Sequence, residues 1–291
     1  MGNYLVTGSA SGMGAQVVAR LREAGHRVIG VDRVDADVVA DLSIPAGRQL
    51  AIDEVLSRCD ERLDGAVLAA GLGPKRGAER TIVEVNVLGV TELLSGLRPA
   101  LAAANKAKVV VIGSNSTTST PFVPGRAVRL LKRGDTAGAA RIITRRGPLA
   151  PPVAYAASKL AVSHWCRERA VTAQWAGAGI RLNLLAPGPV LTPLLRAQLA
   201  SPTGKQVRSF PVPAREYGTV EQIADWTMML LSPSADFMVG SVVTVDGGTE
   251  ALVRPNGWPA RLPLRSLPHL LWAMKKAPSR GQVADYSALP D

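Results

Sequence analysis

Two cysteines and three histidines are all that this chain of 291 residues has of the side chains that most often hold transition metals. Cys59 and Cys166 lie far apart, and His26, His164 and His269 stand at no metal-ligand spacing. Neither a disulfide framework nor a zinc site is expected, and so few thiols suit a reducing compartment. Aromatic residues make up only 4% of the chain, leaving little for stacking nucleic-acid bases. No G-x-S-x-G elbow occurs and no histidine sits suitably downstream of a serine, which argues against a serine hydrolase. No apolar run is long enough to span a bilayer, and a strand-like run starts by residue 4, where a signal peptide would need its apolar stretch. The expected location is the cytoplasm.

Acidic residues are scarce in only two places. Residues 121–150 carry seven basic side chains against one acidic, and residues 251–291 carry six against two. Residues 1–120 balance at 13 of each, and residues 151–250 carry eight against seven. The net charge of +11 therefore sits in two short segments on a balanced body. With no nucleic-acid fold motif present, no nucleic-acid partner is expected.

What the chain has is apolar residues, 47% of the total, in short runs that alternate with helical patterns. "NYLVTG", "RVIGVD", "GAVLAAG", "KVVVIGS", "GIRLNLLAPG" and "SVVTVDGG" read as buried strands. Between the first two, Val17, Val18 and Leu21 share a helical face that Gly25 would end. Such an order predicts an α/β fold: a doubly wound parallel sheet with helices on both faces. One domain over residues 1–250 is expected, with a basic insertion at 121–150 and a C-terminal extension at 251–291.

Two stretches carry chemistry. "TGSASGMG" places Gly8, Gly12 and Gly14 between a strand and a helix, where a backbone can turn tightly and approach a pyrophosphate. Asp32 ends the second strand 20 residues after Gly12, where a carboxylate can hold ribose hydroxyls and repel a 2′-phosphate. This favours NAD(H); Arg33 beside it could serve the 2′-phosphate, so NADP(H) stays open. The second stretch, "PVAYAASKLAV", puts Tyr155 and Lys159 four residues apart on one helical face. A phenol is a poor base at neutral pH unless a neighbouring positive charge favours the phenolate.

Order and spacing together resemble the short-chain dehydrogenase/reductase family, through Thr7–Gly14, Asn86 in "VNVLG", Ser114, Tyr155, Lys159 and "PGPVLT" at 187–192. The resemblance implies the Rossmann fold and an NAD(P)-dependent alcohol dehydrogenase or carbonyl reductase. It implies a catalytic set in which Tyr155 exchanges the proton and Ser114 orients the substrate oxygen. Lys159 lowers the phenol's pKa and binds the nicotinamide ribose, while Asn86 holds a water leading to solvent. Cofactor contacts are implied for Gly8, Ser11, Gly12, Met13, Asp32, Asp41, Leu42, Ala70, Gly71, Tyr155, Lys159, Pro187, Gly188, Val190 and Thr192. Two features depart from the family. "LAAG" at 68–71 lacks the usual paired asparagines, and the gap of 41 residues between Ser114 and Tyr155 is unusually long.

The remaining expectations concern substrate and partners. Residues 193–217 fall where the family places a lid, and Leu194, Leu195, Leu199, Phe210 and Val212 suggest an apolar cover for a hydroxysteroid or another bulky apolar alcohol or ketone. The same leucines could simply pack against the domain. Of the hydroxyls after Ser114, Ser116 is the one rival to it. The family usually pairs subunits through the Tyr-bearing helix; the insertion before that helix predicts a homodimer formed elsewhere, around the last strand. In the tail, Leu267, Leu270, Leu271, Trp272 and Met274 precede Lys275 and Lys276, and Pro263 and Pro268 limit any helix to about residues 269–277. Docking on the body or on a partner subunit, with Trp272 buried, is expected; weak contact with a membrane surface is the alternative. The competing class overall is a catalytically idle NAD-binding sensor or scaffold.

Overall fold

The computed structural model describes residues 1–200, 204 and 208–283. Seven parallel strands form one sheet: β1 (Asn3–Thr7), β2 (Arg27–Asp32), β3 (Val38–Val39), β4 (Gly65–Leu68), β5 (Lys108–Ile112), β6 (Arg181–Pro187) and β7 (Val242–Val245). Their order is β3-β2-β1-β4-β5-β6-β7. The strand order reverses between β1 and β4, which opens a crevice at the strands' carboxyl ends.

The alternation of side chains along each strand builds two cores. Leu5, Ile29, Ala66, Val109 and Leu184 point to one face; Val6, Val28, Val67, Val110 and Leu185 point to the other. The second face is covered by α1 (Gly12–Glu23), through Val17, Val18 and Leu21, and by α10 (Val220–Leu231), through Ile223 and Leu230. The first face lies under α2 (Pro45–Arg58), α3 (Glu79–Val83), α4 (Gly89–Ala103) and α8 (Ala150–Ala170). A π turn, Glu84–Leu88, joins α3 to α4 and carries Asn86. A short α5 (Ser116–Ser119) follows β5, and α9 (Pro193–Leu199) follows β6.

The basic insertion at 121–150 forms two α-helices. Gly134, at φ +83°, separates α6 (Gly125–Lys132) from α7 (Thr136–Thr144). Asp135 caps the second by accepting the Gly138 N–H at 2.7 Å. Ala127, Val128, Leu131, Ala139 and Ile143 join the same core as α8, so the apolar stripe of the hairpin faces inward. Its arginines at 126, 129, 133 and 141 face solvent, and Lys132 pairs with Glu168 of α8.

After β7 come α11 (Thr249–Val253) and α12 (Leu267–Lys276). Pro268 lies within the first turn of α12, where a missing N–H costs nothing, so the helix begins two residues earlier than the prolines suggested. The expected burial of Trp272 against the body does not occur: it stays 45% exposed, and Leu271 and Met274 are more exposed still. Residues 284–291 of the tail, and 201–203 and 205–207 of the lid stretch, lie outside the described residues.

Candidate active site

The loop from β1 into α1 floors a groove of about 290 Å³ at the sheet's carboxyl edge. Glycine is required there for steric reasons. A methyl group on Gly14 would stand 2.1 Å from the Gly8 carbonyl oxygen, so α1 could not close on the turn. Gly8 and Gly12 both take positive φ, +70° and +56°. Ser11, Met13, Asp32, Asp41, Leu42, Ala70, Gly71 and Thr192 of the expected cofactor contacts line it too; Tyr155, Pro187, Gly188 and Val190 line the hollow beside it, and Lys159 lines neither.

Asp32 Oδ2 accepts the Ala10 N–H at 3.0 Å and Oδ1 accepts the Arg33 N–H at 2.7 Å. The carboxylate is thus fixed at the groove's rim with acceptor capacity to spare. Asp41 accepts the Ser43 N–H at 2.9 Å, and the Ser43 hydrogen bonds hold its carboxyl below its ordinary pKa. Helix α1 has no acidic residue in its first turn and no side-chain cap from Ser11, and the buried Ser9 hydroxyl finds no partner among the described residues. An anion at that N-terminus, such as a dinucleotide's pyrophosphate, matches these donors. The residues fit the implied cofactor.

A second hollow, of about 380 Å³, opens beside the first and is lined by Ser114, Tyr155, Pro187, Gly188 and Val190. Met13, Thr192 and Leu194 line both, so the two adjoin. Leu194, Leu195 and Phe210 of the expected lid line the second hollow; Leu199 and Val212 do not. Thr192 caps α9 by accepting the Leu195 N–H at 3.2 Å, which places its side chain at the junction.

Tyr155 and Lys159 come from consecutive turns of α8. Burial pushes the Tyr155 phenol up, and the Ser114 hydroxyl beside it offsets part of that rise. Lys159 donates to the Ile112 carbonyl at 2.7 Å, and burial brings its ammonium down to about 8. Desolvation sets the direction of the phenol's shift here, and the Lys159 ammonium is turned to the Ile112 carbonyl at the end of β5. At neutral pH the site holds a protonated phenol, a proton donor.

Asn86 braces the site through its side chain. Its Oδ1 accepts the Leu72 N–H at 2.8 Å, and its Nδ2 donates to the Leu72 carbonyl and the Ser158 hydroxyl, both at 3.0 Å. The side chain ties the loop after β4 to α8 and keeps one Oδ1 lone pair, so this brace is compatible with the implied water. A methyl on Gly71 would stand 3.2 Å from Asn86 Oδ1 and 3.5 Å from Lys159 Nζ, so the brace adjoins the ammonium.

The Ser116 N–H donates to Ser114 Oγ at 3.1 Å, holding that hydroxyl in place, while the Ser116 hydroxyl lines the same hollow with no partner among the described residues. Sequence reasoning missed Asp246, which accepts from Asn115 Nδ2 at 3.1 Å and from the Glu250 N–H at 2.8 Å. This ties the residue after Ser114 to the end of β7; the paired glycines after Asp246 were the available signal. Thr81 and Val85, which line the cofactor groove, had no signal at all. Among the described residues, no cluster of His, Cys, Asp and Glu could hold a metal ion.

Residues 116–250 match the family model described as Enoyl-(Acyl carrier protein) reductase. Over 257 residues the chain is 38% identical to the 3-alpha-hydroxysteroid dehydrogenase/carbonyl reductase of Comamonas testosteroni, covering 88% of this chain and 99% of that protein. It is 29% identical over 255 residues to a coniferyl-alcohol dehydrogenase from a Pseudomonas species, covering 84% and 94%. The solved structure of the 3-alpha-hydroxysteroid dehydrogenase from Pseudomonas sp. B-0831 complexed with NADH superposes with a TM-score of 0.82 at 42% identity, covering 87% of this chain and 99% of that one.

Proposed function

The chain belongs to the short-chain dehydrogenase/reductase family of oxidoreductases, and from that premise we propose that it interconverts a bulky apolar secondary alcohol and its ketone, using NAD(H) and Tyr155 as the acid/base. One observation carries this reading: Ser114 and Tyr155 line an apolar hollow that adjoins the glycine-floored groove and shares Met13, Thr192 and Leu194 with it. When bound, NAD(H) supplies or accepts the hydride at the substrate carbon.

The chain's own residues govern the oxygen. In reduction, Ser114 donates a hydrogen bond to the carbonyl oxygen while the Tyr155 hydroxyl passes it a proton; in oxidation Tyr155 takes that proton back. A phenol raised by burial is well matched to the donating direction. Lys159 would hold the nicotinamide ribose and restore the proton, and Asn86 is a positioning residue that keeps the Leu72 loop against α8.

Asp32 favours NAD(H) by accepting from the adenosine ribose and repelling a 2′-phosphate. The substrate assignment rests on Leu194, Leu195, Phe210 and Pro152 around the hollow, and on the relatives' activity toward hydroxysteroids and an aromatic alcohol. Assembly as a homodimer through α10 and β7 is favoured by Trp226, Met229 and Phe237, which stay exposed there while the α6–α7 hairpin covers α8.

A screen of hydroxysteroids and aromatic alcohols and ketones, read by NADH absorbance, tests the reading. Turnover of at least one class is expected, with loss of about 10²–10⁴-fold in Tyr155→Phe while NADH still binds. A Phe variant with near-normal turnover refutes the assignment of Tyr155.

A further inference from the structure

The family match ends at residue 250, and the catalytic site gives no role to residues 251–283. Helix α12 and the turns flanking it make one helical run from Leu264 to Arg280. Leu267, Leu270, Leu271 and Met274 fall at i, i+3, i+4 and i+7, on one face. All four are exposed, from 42% at Leu270 to 64% at Met274. The residues less exposed than their neighbours are Ser266, Ala273 and Ala277, a stripe of small side chains that leaves the leucine face open.

The other side is cationic. His269 stacks on Trp272 at 5.8 Å, and the Arg280 guanidinium lies 4.5 Å over the same ring, so these three share a side. Lys276, four residues after Trp272, extends it, and Lys275 stands at its border. Between residues 251 and 283 there are six basic residues and no acidic one. The end of the run is tethered to the body, since Gln282 Nε2 donates to the Val171 carbonyl at 2.9 Å.

We propose that α12 is an interfacial helix that seats this enzyme on an anionic lipid surface, its leucine face among the acyl chains and its lysines and arginines at the headgroups. An exposed apolar face, an opposing cationic side and low net hydrophobicity are what such a helix needs. Charge decides between this occupant and a second copy of the chain. A two-fold contact would set the cationic segment against itself, whereas an anionic surface neutralises it. The helix alone would bind weakly; both faces must act together, as two weak signals do.

Cosedimentation of the full chain with vesicles is the test, comparing phosphatidylcholine alone with mixtures holding about one-third phosphatidylserine. Binding is expected to the anionic vesicles only, and to weaken as salt is raised. Leu271→Asp, and separately Lys275→Glu with Lys276→Glu, should each lower the partition coefficient at least about tenfold, with melting temperature and NADH affinity unchanged. These side chains are exposed, so folding is not at stake. Equal partition into both vesicle types, no partition at all, or full binding by the charge-reversed variant overturns the proposal. So does a dimer that falls apart in Leu271→Asp while the wild type ignores vesicles, which would mean that a second copy covers this face.

Discussion

Lys159 should destabilise the fold that needs it, and the size of the cost can be worked out. Its amine is buried on α8, donates to the Ile112 carbonyl and has no carboxylate partner among the described residues, so burial brings its pKa from 10.5 to about 8. The folded value lies below the unfolded one. Between the two, the unfolded chain binds the extra proton, and stability therefore rises with pH. Below about pH 8 the penalty is complete, roughly 3 kcal/mol at pH 7, and by pH 9.5 it has fallen to about 1.5 kcal/mol. Lys159→Met keeps much of the volume and removes the charge. Leaving the Ile112 carbonyl without its donor costs the variant a constant amount at every pH. Tyr155 and Cys166, both raised by burial, weaken the fold at alkaline pH in both proteins and cancel in the comparison. Urea unfolding from pH 6.5 to 9.5 should thus show the stability difference between Lys159→Met and wild type shrinking by about 2 kcal/mol as pH rises. Parallel pH profiles would refute the reasoning, because they would mean that the amine carries no desolvation cost.

Two further outcomes concern other parts of the molecule. Asp32→Ala should narrow or reverse the preference for NAD(H) over NADP(H), by about tenfold or more, since it removes the repulsion and leaves Arg33 at the rim; steady-state kinetics with both cofactors check this. A wild type that prefers NADPH would show that Arg33 prevails. Light scattering should give a dimer that Trp226→Asp, on the exposed face of α10, shifts toward monomer; a tetramer would count against pairing through α10 and β7.

Much of this architecture was legible because parallel strands buried on both faces read as unbroken apolar runs, as "KVVVI" does. β3 was missed: at two residues it carries no periodicity, and it exists because Val31 and Asp32 offer an edge to Val38 and Val39. The glycine loop was legible for a different reason. Its spacing answers a local steric demand, the approach of Gly14 to the Gly8 carbonyl, which any sequence forming this turn must meet. The engagement of Asn86 with Leu72 and Ser158 was not, since hydrogen bonds between residues 14 and 72 positions apart depend on how the π turn, the loop after β4 and α8 meet.

The sign of the Tyr155 shift belongs to the same class, and it bears on how the site works. A spacing of four residues places a phenol and an ammonium on one face but says nothing about how much water either keeps. Here both are buried, and desolvation acts on them in opposite senses, opposing the phenolate on one and the ammonium on the other. The pair is thereby pushed toward neutral phenol and neutral amine rather than toward the ion pair that spacing alone suggests. On the proposed reading, such a site would give a proton readily to a ketone oxygen. In the reverse direction, the positive charge of a bound oxidised nicotinamide, which the reduced form lacks, would favour taking that proton from an alcohol. Burial and cofactor charge together would then match the protonation state of Tyr155 to the direction of the reaction, with Ser114 holding the oxygen in both.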